Sequence, residues 1–451
     1  MNRQLFIDAL FEKAKNAGIS ECEAYFASGS SFDVDVLEGE IKEYSVSSSS
    51  GMCFRGIFNG KMGYASTQIE DEEAIDMLVK GVIENACLME TDDNETIFEG
   101  SASYPKVNTY DESVNAISAG EKIDMSFKME KLVKAQSDLV LRLDGCGVSS
   151  SLSETRIVNS KGLDISRSST LFGAVAAPVV KDGEGANFGF SMKFSHHPQD
   201  IDIEKIAVKS VQNALEGLGA VSIPGGMYKC VFRNDMASTL LATFAGVFSG
   251  EAARKGMSLL KGREGEMIAS EAVTLTDDPL LKGGLASKPF DAEGMATFKK
   301  DIIKNGRFET LLHNRLTAEK LGKTSTANAA KAGYAGKVVV APTNLYIEPS
   351  QKTPEDLYRE VGDGVLITSL MGMHSGANAI TGDFSLGAKG FKIENGRLSY
   401  PIEQITVAAN FFEILKNIVS VANDLEFDRP GGSCIGSPAL YVGEISVAGK
   451  E

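Results

Sequence analysis

The chain has 451 residues, with 45 Lys and Arg against 61 Asp and Glu, giving a formal charge of −16. That length exceeds one compact core and points to two or three domains, while 43% hydrophobic and 24% charged residues exclude wholesale disorder. The acidic balance, without any dense Lys/Arg run, excludes the basic face that a phosphate backbone requires, and no apolar stretch approaches the ~18 residues of a membrane span.

Leu5, Phe6, Ala9, Leu10 and Ala14 recur at helical spacing, with Gly18 as the stop. Polar and acidic residues interrupt the apolar run that a signal peptide needs. Phe32 to Gly60 reads as successive strands, Asp33–Leu37, Ile41–Val46 and Met52–Phe58, and Asn59-Gly60 marks a type I′ hairpin turn. Asp71 to Met89 is a helix whose apolar face is Ala74, Ile75, Leu78, Val79, Val82 and Ala86. Residues 91–113 carry few apolar side chains and read as a linker or partly ordered loop.

A second unit follows, with a helix near 123–135 and strands at 139–143, 149–158 and 171–180. Its turns are Asn159–Gly162 and Lys181–Gly185. An amphipathic helix starts at Asp202, with Ile203, Ile206, Ala207, Val211, Ala214, Leu215 and Leu218 on one face and glycines 217 and 219 at its end. The remainder is hairpin-rich: Asn305-Gly306 and Asn395-Gly396 each lie between alternating strands, Thr353-Pro354-Glu355-Asp356 opens a helix, and further elements are a strand at 365–370 and a helix near 410–421. Strands and helices do not alternate strictly, which argues against a doubly wound sheet. The expected class is therefore α+β and multi-domain: an N-terminal α/β unit (1–106), a middle α/β unit (107–221) and a larger mixed α+β C-terminal domain (222–451).

Motif chemistry is sparse. His196, His197, His313 and His374 are the only histidines; no pair has helical zinc-ligand spacing, and adjacent His196 and His197 point to opposite faces of a strand. Six scattered cysteines without a C-x-x-C pair read as reduced thiols in a cytoplasmic protein. There is no G-x-S-x-G elbow. Ser258-Leu-Leu-Lys261 stands without its companion motifs and reads as a surface helix; Gly183-Glu-Gly185 reads as a turn rather than a phosphate cradle. One segment stands apart: His374-Ser-Gly-Ala-Asn378-Ala-Ile-Thr381-Gly382-Asp383, continuing to Gly390, sets small, amide and hydroxyl residues between two apolar strands. Such loops bring backbone and short side chains close to a ligand or another chain; the plainer alternative is a turn supporting the sheet. A second glycine segment, 428–436, contains Cys434, which reads as a small buried apolar residue or a candidate site residue.

The run His374–Gly390, continuing through Ile393–Gly396 and Tyr400–Thr406, resembles the glycine-rich signature of the TldD/PmbA family, whose PmbA branch is also called TldE and whose older name is modulator of DNA gyrase. Asn344–Pro349, Arg315–Asn328 and Phe290–Gly294 are similar to further blocks in the same order. The resemblance implies a peptidase family whose TldD members carry a zinc-binding H-E-x-x-x-H on a helix, with a thiol ligand from near Cys434. Aligned through Arg254-Lys255-Gly256, the matching helix, from Asn234 or Asp235 to about Ala252, places Leu241, Ala242 and Gly246 where the histidine, glutamate and second histidine would sit. None can bind zinc or move a proton. The resemblance therefore implies a PmbA/TldE-like subunit without catalytic residues or a metal of its own. Zinc is expected in a TldD-like partner, and unfolded or leader peptides are expected as substrate. His374, Asn378, Thr381, Gly382, Asp383 and Cys434 are the peptide-binding or interface candidates. Two alternatives stay open: a stand-alone peptidase with a metal site rebuilt at His374, Asp383 and Cys434, and a homodimeric peptide-binding protein.

Overall fold

The computed structural model describes residues 2–90, 95–183, 185–428 and 430–450. Two very long strands, Glu21–Leu37 and Glu40–Phe58, form the first hairpin, and Glu21–Leu37 also pairs antiparallel with Val140–Asn159. That pairing joins units 1–106 and 107–221 in one seven-stranded antiparallel sheet. Its order is Lys61–Thr67, Glu40–Phe58, Glu21–Leu37, Val140–Asn159, Asp164–Asp182, and then Gly185–Phe188 with Ser191–Ser195 on successive stretches of the last. The strands expected at 33–37, 41–46 and 52–58, and at 139–143 and 149–158, are thus segments of three continuous ones. Runs of Ser and Gly in the middle give no hydrophobic alternation to read, yet their backbones pair as well as any others.

Helices cover one face of this sheet at both ends. Arg3–Asn16 and Glu72–Leu88 bury Phe6, Leu10, Leu78 and Val82 on Phe26 and Phe54. Ala119–Lys134 and Ile203–Leu215 bury Met129, Val133, Ile206 and Val211 on Phe32, Val34 and Phe172. Asp71 and Asp202 cap two of these helices as the sequence implies. Residues 95–112 lack regular structure but are tied down, with Ile97 buried; positions 91–94 of the expected linker lie outside the described residues, as does Glu184. The opposite face rests on the C-terminal half, where Tyr25, Cys53 and Ile157 meet Leu163 and Phe290.

The C-terminal half holds two further large sheets and a two-stranded one, Ala329–Ala330 with Val339–Val340. In one, Arg397–Asn410, Asp383–Glu394, Gly364–Met371, Gly226–Phe232 and Leu440–Ala448 pair in that order, and the last pairs back with the first, closing a five-stranded ring. The other is ordered Arg307–Phe308, Lys300–Lys304, Leu275–Asp277, Asn344–Ile347, Cys434–Ser437, Glu426–Phe427. The three Asn-Gly turns form as expected: Asn59, Asn305 and Asn395 and their glycines all have φ > 0. Thr353 and Asp356 make the expected capping box. Ser258 is not on a surface helix; it is buried in a loop, and its Oγ donates to the Val247 carbonyl at 2.5 Å.

Candidate functional site

Helix Asn234–Phe244, the site helix, lies between the ring and the neighbouring sheet. Ser238 Oγ donates to the Ile435 carbonyl at 2.8 Å, which fixes the helix on the strand that carries Cys434. At its end the fully buried Phe244 stacks on Phe411 at 4.7 Å and meets Phe384 at 6.2 Å. The single helix expected to reach about Ala252 breaks after Phe244: residues 245–248 form a 3₁₀ turn and a new helix, Gly250–Arg254, begins. The cause is visible in the sequence, because Ser249 Oγ accepts from the Glu251 and Ala252 amides as an N-cap. Leu241 is buried in the core, Ala242 is half-buried against it, and Gly246 is exposed with open space around it.

The glycine-rich loop sits over the C-terminal end of this helix, where Thr243 Oγ1 contacts Met373 Sδ at 3.6 Å. Only its first part is a loop; from Asp383 onward it is the strand Asp383–Glu394. Its polar residues knit the loop together. Asn378 Oδ1 accepts from the Ile380 and Thr381 amides, the Asn378 amide donates to the Asp383 carbonyl, and Asn410 Nδ2 donates to both the Thr381 carbonyl and Asp383 Oδ1. That Asn410 bond, with a further one from Thr381, holds the Asp383 carboxyl below the usual range. Gly382 has φ +85°, and a Cβ there would meet the Phe412 ring at 2.7 Å. Asn378, Thr381, Gly382 and Asp383 therefore shape the loop, and His374 is exposed beside them. Cys434 is not with them. It is fully buried on its own strand, its Sγ near the Asp428 carbonyl at 3.8 Å, and burial pushes its thiol up to about 12.

A cleft of about 540 Å³ opens beside the first turn of the site helix. One wall comes from the middle unit, through Phe188 and Phe190, both exposed and stacked at 6.4 Å. The other comes from Met236 of the helix and Met371 of the ring. Arg233 on the floor pairs with Asp235 at 2.6 Å and donates to the Thr368 carbonyl, while Lys389 pairs with Glu403 at 2.9 Å. An apolar trough with anchored polar groups suits an extended chain. Sequence reasoning missed these residues, which lie up to two hundred positions apart; only the exposed Phe188-Gly-Phe190 pair signals them locally.

Three family models match the chain: PmbA/TldA metallopeptidase domain 1 over residues 22–86, the central domain over 112–218 and the C-terminal domain over 225–449. The chain is 28% identical to Metalloprotease PmbA of Escherichia coli O157:H7 across 74% of this chain and 71% of that one. It superposes with TM-score 0.91 on a Thermotoga maritima protein described as a candidate modulator of a DNA gyrase, at 30% identity, covering 99% of this chain and 100% of that one. The chain belongs to the PmbA/TldD metallopeptidase family. TldE of Thermococcus kodakarensis shares the fold, at TM-score 0.89 and 23% identity over 98% of this chain and 100% of that one.

Family membership raises the question of a metal, and the residues at the expected positions do not fit one. Leu241, Ala242 and Gly246 supply an aliphatic chain, a methyl group and no side chain, none a zinc donor. Among the described residues no three His, Cys, Asp or Glu side chains converge as a metal site, so His374, Asp383 and Cys434 do not form the alternative one. No described helix is long and apolar enough to cross a membrane.

Proposed function

We propose that this chain is a PmbA/TldE-like subunit of a TldD/TldE-type zinc metalloprotease acting on flexible peptides, and that it holds substrate and completes the chamber while a TldD-like partner supplies zinc. The observation that carries this reading is the site helix. It is packed in the core, and it and the 3₁₀ turn after it present Leu241, Ala242 and Gly246 at the positions where the resemblance places His and Glu. The cleft at its first turn supports the substrate-holding role. No described strand pairs with the outer edge of Gly185–Phe188, so a peptide laid along Phe188, Phe190, Met236 and Met371 adds there as a strand. Main-chain hydrogen bonds give such binding low sequence preference.

The test is co-purification with a TldD-type subunit, followed by cleavage of an unfolded polypeptide. A stable complex that cleaves faster than the partner alone is expected. No complex, or no gain in rate, refutes the subunit role.

A further inference from the structure

The seam between the long sheet and the C-terminal half holds cations that no carboxylate neutralises. Arg167, on the strand Asp164–Asp182, stands opposite Thr155 on the sheet face that meets Phe290, and its guanidinium lies over the Phe290 ring at 6.0 Å. It is half-buried, and among the described residues it has no hydrogen bond and no ion pair. Lys288, two residues before Phe290, is also half-buried and its Nζ likewise has no such partner among the described residues. Burial and then the Arg167 charge push its amine down to about 8, so the two cations are close enough to repel. Lys331 sits over the Tyr25 ring at 4.5 Å, again without a carboxylate in ion-pair range among the described residues.

The acids of this neighbourhood are committed elsewhere. Asp277 is held by Lys300 at 3.2 Å and accepts from the Thr343 amide and hydroxyl. Asp291 accepts from the Glu293, Met295 and Ala329 amides, and burial beside Glu293 raises it to about 7, toward its neutral form. Glu23 is paired with Arg55 at 2.8 Å. In a chain of charge −16, neighbouring half-buried cations left without a counter-charge cost folding energy, and such groups mark a place for a charged ligand. A ligand can reach them, because Ser49 and Ser153, in the next cross-strand row of the same face, are exposed.

We propose that Arg167 and Lys288 bind a carboxylate carried by a peptide, at its C-terminus or on an Asp or Glu side chain, with Lys331 adding to the positive field. This rests on the reading of the chain as a peptide-holding subunit. The Arg167 fork offers two parallel N–H donors that match a carboxylate, and the Lys288 ammonium sets a point charge beside it. Phe290 keeps water from one face of the guanidinium, which strengthens the pairing. A bound anion replaces one like-charge repulsion with two attractions.

The test uses the full chain without a partner subunit and one labelled, unfolded peptide in three forms: with a free C-terminal carboxylate, with a C-terminal amide, and amidated with one internal Glu. Fluorescence anisotropy near neutral pH should show a carboxylate form binding about tenfold or more tighter than the neutral amide, and the form that does so names the source. Arg167→Gln and Lys288→Gln, on separate elements, should each cut that preference to about twofold or less while leaving the neutral amide's affinity unchanged. Each removes a repelled charge, so neither should lower thermal stability, which separates a ligand site from a structural one. Equal affinity for the three peptides overturns the proposal, as does a preference that survives both substitutions. With equal affinities, weaker binding by Phe188→Ser with Phe190→Ser would still uphold the peptide-holding reading, whereas no binding of any peptide ends both.

Discussion

Phe244 is the joint between the site helix and the glycine-rich loop. Its side chain is fully buried, stacked at 4.7 Å and 15° on Phe411 and tilted at 6.2 Å against Phe384, the second residue of the strand that leaves the loop. Phe244→Ala removes the ring from both contacts and leaves a cavity that a closed ring of strands cannot easily fill, so the cost should be about 3–5 kcal/mol. The chain folds as several separate sheets, so a single global unfolding transition is the wrong readout. Native-state hydrogen exchange at the amides of Asp383–Glu394 reports opening of this region directly. Protection there should fall by about a hundred- to several-thousand-fold, while amides of Glu21–Leu37 in the first sheet should change little. A loss of protection below about fivefold, or an equal loss in both sheets, would refute the claim that this aromatic stack joins helix to loop.

Three further substitutions follow from the same geometry. Gly382→Ala combines a left-handed backbone with a Cβ 2.7 Å from the Phe412 ring and should destabilise the loop by about 2 kcal/mol; limited proteolysis near residues 372–382 would show it, and unchanged resistance would contradict it. Phe188→Ser with Phe190→Ser changes two exposed rings, so it should leave stability alone while weakening binding of an unfolded peptide about tenfold by fluorescence anisotropy; unchanged affinity would remove the cleft from the account. His313 is buried, with Nε2 unpartnered and Nδ1 near Thr317 Oγ1 at 3.3 Å, and burial lowers its pKa. The unfolded chain therefore binds a proton near pH 6.5 that the folded chain refuses. Stability should fall as pH drops below about 6.5, by up to about 1.4 kcal/mol per unit, until the folded group also titrates. Hydrogen-exchange protection at the Arg315–Lys320 amides from pH 7 to 5 should show a steeper decline for the wild type than for His313→Gln, and parallel curves would refute the assignment.

What could be read from the sequence was what is local. Asn-Gly turns and the Asp71, Asp202 and Thr353 caps depend on neighbours within a few residues, and each formed. The strand lengths did not show, because Ser47 to Gly51 and Ser149 to Ser151 carry no alternation, and the partners of Ser149 to Ser151 in the first strand lie over a hundred residues away. Asn378, Thr381 and Asp383 are binding candidates through short polar side chains, and the same side chains satisfy nearby amides and shape the loop. Ser249 was a readable N-cap inside a stretch read as one helix. The cleft was out of reach, since its walls come from the middle unit, the site helix and the ring, brought together only by tertiary packing.

The central claim is that this chain lends shape to a zinc peptidase without holding the zinc, and one measurement addresses it most directly. Zinc content and cleavage of an unfolded polypeptide would be determined for this chain alone, for a TldD-type subunit alone and for the two mixed. The account expects no stoichiometric zinc and no cleavage in the first sample, and faster cleavage in the third than in the second. Stoichiometric zinc with chelator-sensitive cleavage by this chain alone would contradict it.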